Sequence, residues 1–209
     1  MNTPILWYFA DPMCSWCWGF SPTFKAVLDL YHDRMKIALV LGGLRPGETV
    51  PMTTAGRDDI LHHWQQVQTL TGQPFRFENA LPDGFVYDTE PASRAVVVVS
   101  SIDPGLVFPM FQSIQSTFYA QARDVTQTVV LADLAAKLGV DTAVFLHAFD
   151  SDTARTRTQT HFHHARQAGV RGFPTLIVQQ GAQLHPICNG CLPLKNVCTA
   201  IDACLEIGA

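Results

Sequence analysis

Apolar residues follow two patterns along the chain, and the change between them predicts a mixed α/β fold. Runs of strand length occur at residues 5–9, 35–41 and 174–178, and a Gln-Gln-Gly turn separates the third run from a fourth at 183–187. The last two runs and their short connection predict a hairpin. The first two runs flank a helical pattern, which predicts a parallel strand-helix-strand unit.

Helical spacing of apolar residues dominates the middle of the chain. It predicts helices at residues 14–31, 57–70, 91–101, 104–121, 126–138, 141–149, 152–168 and 193–207. Four consecutive valines at 96–99 favour a strand by propensity, but Pro91 suits a first helical turn and helices flank the segment. We therefore predict a helical insertion domain at residues 51–150 and a discontinuous domain formed by residues 1–50 and 151–209.

Two cysteines lie at the start of the first predicted helix. The strand ends at Asp11 and Pro12, and the sequence CSWC occupies residues 14–17. A helix N-terminus carries unpaired N–H groups and partial positive charge, which favour the thiolate form of Cys14. Cys14 is therefore the predicted nucleophile, and Cys17, one turn into the helix, is predicted to close a disulfide with it. The motif alone leaves two alternatives open, a pair of core cysteines or half of a zinc site.

Length, charge and cysteine use narrow the class of protein. The 209 residues fit one domain, or one domain with a large insertion. The net charge is −4, from 14 basic and 18 acidic residues without a basic run, so we expect no nucleic-acid and no membrane partner. The apolar stretch at 5–9 is too short for a signal peptide or a membrane span. The six cysteines form two closely spaced pairs and one pair on a helix, an arrangement that favours reactive or metal-binding thiols. Together, the short apolar stretch and the arrangement of the cysteines predict that the protein is located in the reducing cytoplasm.

A second pair, Cys188 and Cys191, flanks an Asn-Gly dipeptide between the last predicted strand and the last helix. Asn-Gly favours a tight turn, which can bring two sulfurs within disulfide distance. Three interpretations remain open: a second redox pair that exchanges with the first, a four-thiolate zinc site shared with it, or two inert cysteines. Cys198 and Cys204 share the apolar face of the last helix and are predicted to be buried.

Two motifs together resemble a known family. The sequence DPMCSWCWGF spans residues 11–20, and GVRGFPT, at residues 169–175, precedes the predicted hairpin. With the predicted order of elements, they make the whole chain similar to the DsbA-like oxidoreductases, and most similar to their FrnE-like cytoplasmic branch. The resemblance implies an α/β thioredoxin fold with a large all-helical insertion between the second strand and the helix that precedes the terminal hairpin.

The resemblance also implies roles for individual residues. A cis peptide bond between Phe173 and Pro174 would face Cys14, leave a backbone edge free for an extended substrate, and keep metals and further thiols away. Ser15 and Trp16, between the two cysteines, would support the active site. Trp16 is expected to be exposed and to offer an apolar surface to a substrate protein.

The chain departs from the family pattern at Tyr8. Thioredoxin and DsbA keep an acidic residue at this position, six before the first cysteine, where it handles the proton of the buried thiol. Proton transfer to Cys17 is therefore unassigned. Asp11 is a candidate general base, although an aspartate in such a turn is more often a turn former.

We expect a cytoplasmic thiol–disulfide oxidoreductase, of the reductase or isomerase type, that needs no cofactor. An exposed Cys14 attacks a disulfide of a protein or peptide substrate, and Cys17 resolves the mixed disulfide. Glutathione or a thioredoxin-type protein would supply the electrons. The alternatives are a glutathione-dependent isomerase or transferase similar to the kappa class, and a non-enzymatic zinc-thiolate module. The histidines at 62–63 and 161–164 are predicted to be solvated and to bind no metal.

Overall fold

The computed structural model describes residues 3–207, and its strands form one sheet. The strands are β1 (Ile5–Ala10), β2 (Lys36–Leu41), β3 (Thr175–Gln180) and β4 (Gln183–Asn189). Their order across the sheet is β2-β1-β3-β4. All four coincide with the predicted apolar runs, and the ends differ by no more than two residues.

The described residues also contain eight α-helices. They are α1 (Ser15–Tyr31), α2 (Thr54–Thr71), α3 (Glu90–Ile102), α4 (Val107–Tyr119), α5 (Thr128–Lys137), α6 (Thr142–Phe149), α7 (Asp152–Gln167) and α8 (Leu194–Ile207). The prediction of one continuous helix at 104–121 is wrong at its start, because Pro104–Leu106 forms a 3₁₀ turn ahead of α4. The Asp103 carboxylate accepts the Gly105 N–H (2.8 Å) and so caps this turn.

Strand pairing determines which side chains share a face of the sheet. β1 pairs in parallel with β2 and antiparallel with β3, which in turn pairs antiparallel with β4, so the predicted parallel unit and hairpin are confirmed. Tyr8, Leu176 and Cys188 are directly paired neighbours across β1, β3 and β4. Their side chains therefore point to the same face. This face carries α1, since Tyr8 stacks on Phe24 with ring centroids 3.8 Å apart.

α3 is helical although its four consecutive valines, residues 96–99, favour a strand by propensity. Each of the four is at most 6% exposed. The helix contacts α4, α6 and α7, so it is buried on several sides and tertiary packing outweighs the preference of β-branched residues. Pro91 lies in its first turn, as predicted.

Side chains and one glycine determine where several helices begin and end. Thr53 accepts the Gly56 N–H (3.1 Å) at the start of α2, and Asp141 accepts the Val144 N–H (2.9 Å) at the start of α6. Each cap satisfies an N–H group that the helix itself leaves unpaired. α2 ends at Gly72, whose left-handed backbone (φ 73°) is accessible to glycine without strain.

The five helices α2–α6 lie between β2 and α7 along the chain, so the predicted all-helical insertion is present. Its side chains share one hydrophobic core with the sheet, since a single cluster contains Leu6 of β1, Trp64 of α2, Ile114 of α4 and Phe145 of α6. The domain limits at residues 51 and 150 remain a prediction. No helix within residues 3–207 is both long and apolar enough to cross a bilayer.

Gly42 permits a close contact between the ends of two strands that are not neighbours in the sheet. It follows β2, where its N–H donates to the Ala10 carbonyl (2.8 Å). A Cβ at this position would overlap the ring of Phe173, which lies ahead of β3. The packing of Phe173 therefore requires glycine at position 42.

Gly42→Ala is expected to lower the free energy of unfolding by about 1–3 kcal/mol, because the Phe173 ring must move to admit the methyl group. Urea denaturation measures the change. Gly56→Ala is the matched control, since a Cβ there would meet only the Thr53 hydroxyl, at 3.3 Å, and alanine favours the helix. Equal destabilisation of the two variants would show that the contact with Phe173 is not the reason for glycine at position 42.

Candidate active site

Cys14 is the residue that immediately precedes α1. Its backbone is extended (φ −94°, ψ 117°), its N–H donates to the Asp11 carbonyl (3.1 Å), and its carbonyl accepts the Trp18 N–H (3.1 Å). The first bond closes the turn that follows β1, and the second begins the helix. Cys14 is therefore held at a helix N-terminus, as the sequence predicts.

The Cys14 thiol faces the segment that leads into β3. Its Sγ donates to the Phe173 carbonyl oxygen, 3.6 Å away, and the peptide bond between Phe173 and Pro174 is cis, as predicted. The prediction that Cys14 is exposed is wrong: its exposed fraction is 6%, because the chain at Phe173 lies over the sulfur. Ser15 and Trp16 are half-buried. Trp16 packs against the core, so the prediction of an exposed indole is wrong as well.

Cys17 lies one turn further into α1 and is fully buried. Burial raises the pKa of its thiol well above the ordinary value, and the hydrogen bond and charge of Cys14 raise it further. The Tyr8 hydroxyl shares this environment: burial, followed by the charges of Cys17 and Cys14, raises its pKa. A neutral hydroxyl, rather than an acid, therefore adjoins the buried thiol.

Asp11 is fully buried and holds two backbone N–H groups. Its Oδ1 accepts from Met13 and its Oδ2 from Leu44, each at 2.8 Å, so its predicted role in the turn is confirmed. These bonds also tie the turn after β1 to the turn after β2. Burial raises the pKa of Asp11 from 3.8 to about 6, although the two backbone hydrogen bonds lower it. Its charge in turn raises the pKa of Cys17.

Two tyrosines from the inserted region complete the buried surroundings of the thiols. The Tyr87 hydroxyl donates to the Met13 carbonyl (2.7 Å). Burial raises the pKa of Tyr87 and of Tyr119, and the charges of Asp11 and Cys14 raise both further. Sequence reasoning missed both residues. Tyr87 lies in an irregular loop and Tyr119 at the end of α4, and neither belongs to a motif, because only tertiary packing brings them to the site.

A small cavity of about 160 Å³ lies beside Cys14. It is lined by Met13, Cys14, Ser15, Trp16, Leu44, Arg45, Ile60, His63 and Tyr87. The guanidinium of Arg45 lies over the Tyr87 ring, 5.3 Å from its centroid. Arg45 is exposed and takes part in none of the ion pairs within residues 3–207. The cavity therefore has a positively charged side chain at its rim, which sequence reasoning did not identify.

The second cysteine pair lies next to the first. Cys191 is half-buried, and its Sγ donates to the carbonyl of Trp16 (3.2 Å), which lies between Cys14 and Cys17 in sequence. Cys188, at the end of β4, is 7% exposed. Burial raises the pKa of Cys188 to about 11. Burial, then the charges of Cys14 and Cys188, raise the pKa of Cys191 to about 12.

The remaining candidate residues lie elsewhere. Cys198 and Cys204 are half-buried rather than buried, because α1 and β4 cover the face of α8 only in part. His161 is not solvated as predicted: it is half-buried, its Nδ1 accepts the Leu41 N–H (3.4 Å), and burial lowers its pKa. In the part of the chain that the structure describes, no three His, Cys, Asp or Glu side chains are grouped so as to hold a metal ion.

The sequence matches one family model over almost its whole length. The model describes a DsbA-like thioredoxin domain and covers residues 5–201. Among curated proteins, the ClpXP adapter protein SpxH of Halalkalibacterium halodurans is 20% identical over 176 residues, which include 82% of this chain and 57% of that protein. The chain thus spans little more than half the length of this relative.

Two solved structures resemble the chain along its length. The crystal structure of a candidate protein disulfide isomerase from Nitrosomonas europaea is 43% identical and covers 100% of both chains, with a TM-score of 0.94. The cytosolic disulfide reductase DsbM of Pseudomonas aeruginosa is 28% identical and covers 97% of this chain and 99% of its own, with a TM-score of 0.79. DsbM has also been solved with GSH.

Replacement of the buried carboxylate by Asp11→Asn is expected to change how stability depends on pH. The folded-state pKa of Asp11 is raised from 3.8 to about 6, so the folded chain keeps a proton that the unfolded chain has already lost. The stability from this proton is present below about pH 4 and is lost as the pH rises through 6. The wild type should therefore lose up to about 3 kcal/mol relative to Asp11→Asn between pH 4 and pH 7.

Urea denaturation at intervals across this range measures the effect. The amide of Asn offers only one acceptor oxygen in place of two, so a loss of stability that is the same at every pH is also expected. A difference between the two proteins that stays constant from pH 4 to pH 7 would contradict the raised pKa of Asp11.

Proposed function

Because the chain belongs to the DsbA-like thioredoxin-domain family, we propose that it is a thiol–disulfide oxidoreductase of the reductase or isomerase type. The main support is the position of Cys14, which lies at the N-terminus of α1 with the Phe173 carbonyl 3.6 Å from its sulfur. Cys17 lies buried one turn behind it. A nucleophile, a resolving thiol and a backbone edge for the substrate thus meet at one point.

In the proposed reaction, the Cys14 thiolate attacks one sulfur of a protein or peptide disulfide. A Cys14–substrate disulfide forms, and the other substrate sulfur leaves as a thiolate. Cys17 then attacks the Cys14 sulfur, which releases the second substrate thiol and leaves a Cys14–Cys17 disulfide. The backbone at residues 172–173 beside Cys14 would pair with the extended substrate.

Cys17 must lose its proton before it attacks, and its burial opposes this step. We assign the proton to Asp11, a buried carboxylate whose charge acts on Cys17 and whose pKa of about 6 leaves it ionised at neutral pH. The hydroxyl of Tyr8, at the position where thioredoxin and DsbA keep an acid, would remain protonated, because its pKa is raised. Asp11, in the turn that follows β1, thus takes the role of the acid that is missing at position 8.

The proposed direction is reduction or isomerisation in the cytoplasm, as in the FrnE-like branch. DsbM, 28% identical over nearly the whole chain, is a cytosolic disulfide reductase. In a cytosol poised near roughly −250 mV, most dithiols of this type are kept reduced. A reduced Cys14–Cys17 pair donates electrons to a substrate rather than accepting them.

Glutathione is the proposed source of electrons. DsbM has been solved with GSH, and the cavity beside Cys14 has Arg45 at its rim. Glutathione is a tripeptide with a carboxylate at each end and its thiol on the central residue, so a guanidinium near Cys14 would favour it over a neutral thiol. A thioredoxin-type protein is the alternative reductant and would not depend on this charge.

The two rival functions gain less support. A glutathione-dependent isomerase or transferase similar to the kappa class uses a single activated hydroxyl or thiol, whereas this chain has a second thiol, Cys17, buried behind the first. A zinc-thiolate module needs convergent ligands, and residues 3–207 contain no such group.

Cys17→Ala, in a chain in which Cys188 and Cys191 are also replaced by serine, is expected to abolish reduction of insulin disulfides, because the mixed disulfide on Cys14 then has no neighbouring thiol to resolve it. Reduction is followed as insulin B-chain precipitation with dithiothreitol as the electron source. In a separate reaction without dithiothreitol, mass spectrometry of the variant should show substrate trapped on Cys14. Cys198→Ala is the matched control, since Cys198 lies in α8 away from the cavity. Full activity of Cys17→Ala would instead favour the single-residue chemistry of the kappa-class type.

Arg45→Gln is expected to raise KM for glutathione about two- to fivefold and to leave kcat within about twofold. The charge is exposed, and an exposed ion pair contributes up to about 1 kcal/mol. Steady-state kinetics with a disulfide-bonded peptide and varied glutathione measures the effect. Arg76→Gln is the control, because Arg76 is exposed and lies outside the cavity lining. An unchanged KM in Arg45→Gln would favour a thioredoxin-type reductant.

A further inference from the structure

A third thiol lies against the first turn of α1. The Cys191 Sγ is 3.2 Å from the carbonyl oxygen of Trp16, a residue that separates Cys14 from Cys17 by sequence. The charges of Cys14 and of Cys191 both act on the buried Tyr8 hydroxyl, and the charge of Cys14 acts on Cys191 itself. Cys191 is therefore part of the same electrostatic environment as the CSWC pair, although 174 residues of chain separate Trp16 from it.

A fourth thiol lies one step further across the sheet. Cys188 pairs with Leu176, and Leu176 pairs with Tyr8, so all three side chains lie on the face of the sheet that carries α1. Neighbouring strands are about 4.8 Å apart, which places Cys188 two strand spacings from Tyr8. The charge of Cys188 acts on Cys191. The charges of Cys14 and of Cys188 thus both act on Cys191, which makes Cys191 the link between the two pairs.

The backbone between Cys188 and Cys191 allows them to approach each other. The chain bends at Gly190, directly after β4, and the positive φ of 97° at this residue favours glycine. Its N–H donates to the Pro174 carbonyl (2.7 Å), so the bend is attached to the segment that faces Cys14. Cys188 and Cys191 are three positions apart in sequence, so a change at this bend can bring their Cα atoms within the separation of about 4.4–6.8 Å that a disulfide requires.

From this arrangement we infer that Cys188 and Cys191 form an internal dithiol that reduces the Cys14–Cys17 disulfide and so stores a second pair of electrons for the substrate. The inference rests on the proposed function, since Cys14 and Cys17 must first be oxidised by a substrate. It assigns a redox role to two cysteines that the CSWC chemistry does not use.

The transfer balances without any external reagent. The Cys191 thiolate attacks the Cys14 sulfur, a Cys14–Cys191 disulfide forms, and Cys17 leaves as a thiolate. The Cys188 thiolate then attacks the Cys191 sulfur, a Cys188–Cys191 disulfide forms, and Cys14 leaves. Two electrons pass from the second pair to the first. The protons of Cys188 and Cys191 end on Cys17 and Cys14.

The electrostatic surroundings of the second pair change when the first pair is oxidised. Burial raises the pKa of both Cys188 and Cys191. One of the causes for Cys191, the charge of Cys14, is absent when Cys14 is held in a disulfide. The attacking thiol is therefore less hindered in the state in which the transfer takes place.

The number of disulfides that one reduced molecule can reduce tests the relay. The protein is reduced, freed of reductant under anaerobic conditions and mixed with an excess of a peptide that contains one internal disulfide; chromatography then counts the peptide dithiols formed. The wild type should reduce two peptides per molecule. Cys188→Ser with Cys191→Ser should reduce one, and Cys14→Ser none. The matched control, Cys198→Ser with Cys204→Ser, also loses two thiols but should still reduce two.

Other results overturn the relay or the function on which it rests. One peptide per wild-type molecule means that the second pair holds no usable electrons, and the CSWC chemistry stands alone. One peptide from Cys14→Ser means that the second pair reacts directly and not through Cys14. A wild type that reduces no peptide contradicts the proposed function itself.

A trapping experiment tests the route. Cys17→Ser with Cys188→Ser keeps only Cys14 and Cys191 of the four thiols, and one equivalent of diamide should join them in an intramolecular disulfide that peptide mapping identifies. Its matched partner, Cys17→Ser with Cys191→Ser, keeps Cys14 and Cys188 and should form at least about tenfold less. Equal yields, or dimers alone, would contradict transfer through Cys191.

Discussion

The site depends on one close approach, between the turn that follows β1 and the segment that leads into β3. The antiparallel register pairs Phe9 with Thr175. The segment that follows β1 and the segment that precedes β3 therefore lie at the same end of these two neighbouring strands. Cys14 and Phe173, 159 residues apart in sequence, meet there. Gly42 admits the Phe173 ring, and Asp11 fastens the neighbouring turns to each other. The sheet register thus places Cys14 beside the Phe173 carbonyl. Glycine at position 42 and the buried hydrogen bonds of Asp11 make this close approach possible.

The same approach removes the thiols from water, and this governs their chemistry. Tyr8, Cys17, Tyr87 and Tyr119 all have raised pKa values with burial as the largest cause. Such surroundings oppose the build-up of several negative charges at once. Asp11 is the exception that remains ionised at neutral pH, because two backbone N–H groups hold its carboxylate. Such a site favours reaction steps in which only one thiolate is present at a time, each thiolate forming and disappearing as sulfur–sulfur bonds exchange.

Local sequence patterns were sufficient for most of the fold and for part of the site. The apolar runs and helical spacings predicted all four strands and all eight helices of residues 3–207, because each element buries one face or is buried throughout. The two motifs, through their resemblance to a family, predicted that the peptide bond between Phe173 and Pro174 is cis and faces Cys14. The burial of Cys14 and the partial burial of Trp16 could not be predicted, since they depend on which distant segment covers each residue. Arg45 and Tyr87 carry no local signal either, because their turn and loop reach the site only after the inserted helices pack.

The inserted region lines the cavity of the candidate site as well as packing against the sheet. Ile60 and His63 of α2, with Tyr87, line the cavity beside Cys14. The two thiols instead come from the start of α1 and the residue before it, and the backbone edge comes from the segment ahead of β3. Changes in the helices can alter which thiol or peptide fits beside Cys14 without moving the sulfurs, because the sheet register holds the sulfurs in place. The second cysteine pair lies outside the inserted helices, on β4 and on the segment that follows it. Electron storage and substrate choice would then be carried by separate parts of the chain that meet only at Cys14, so that each can vary while the exchange chemistry stays the same.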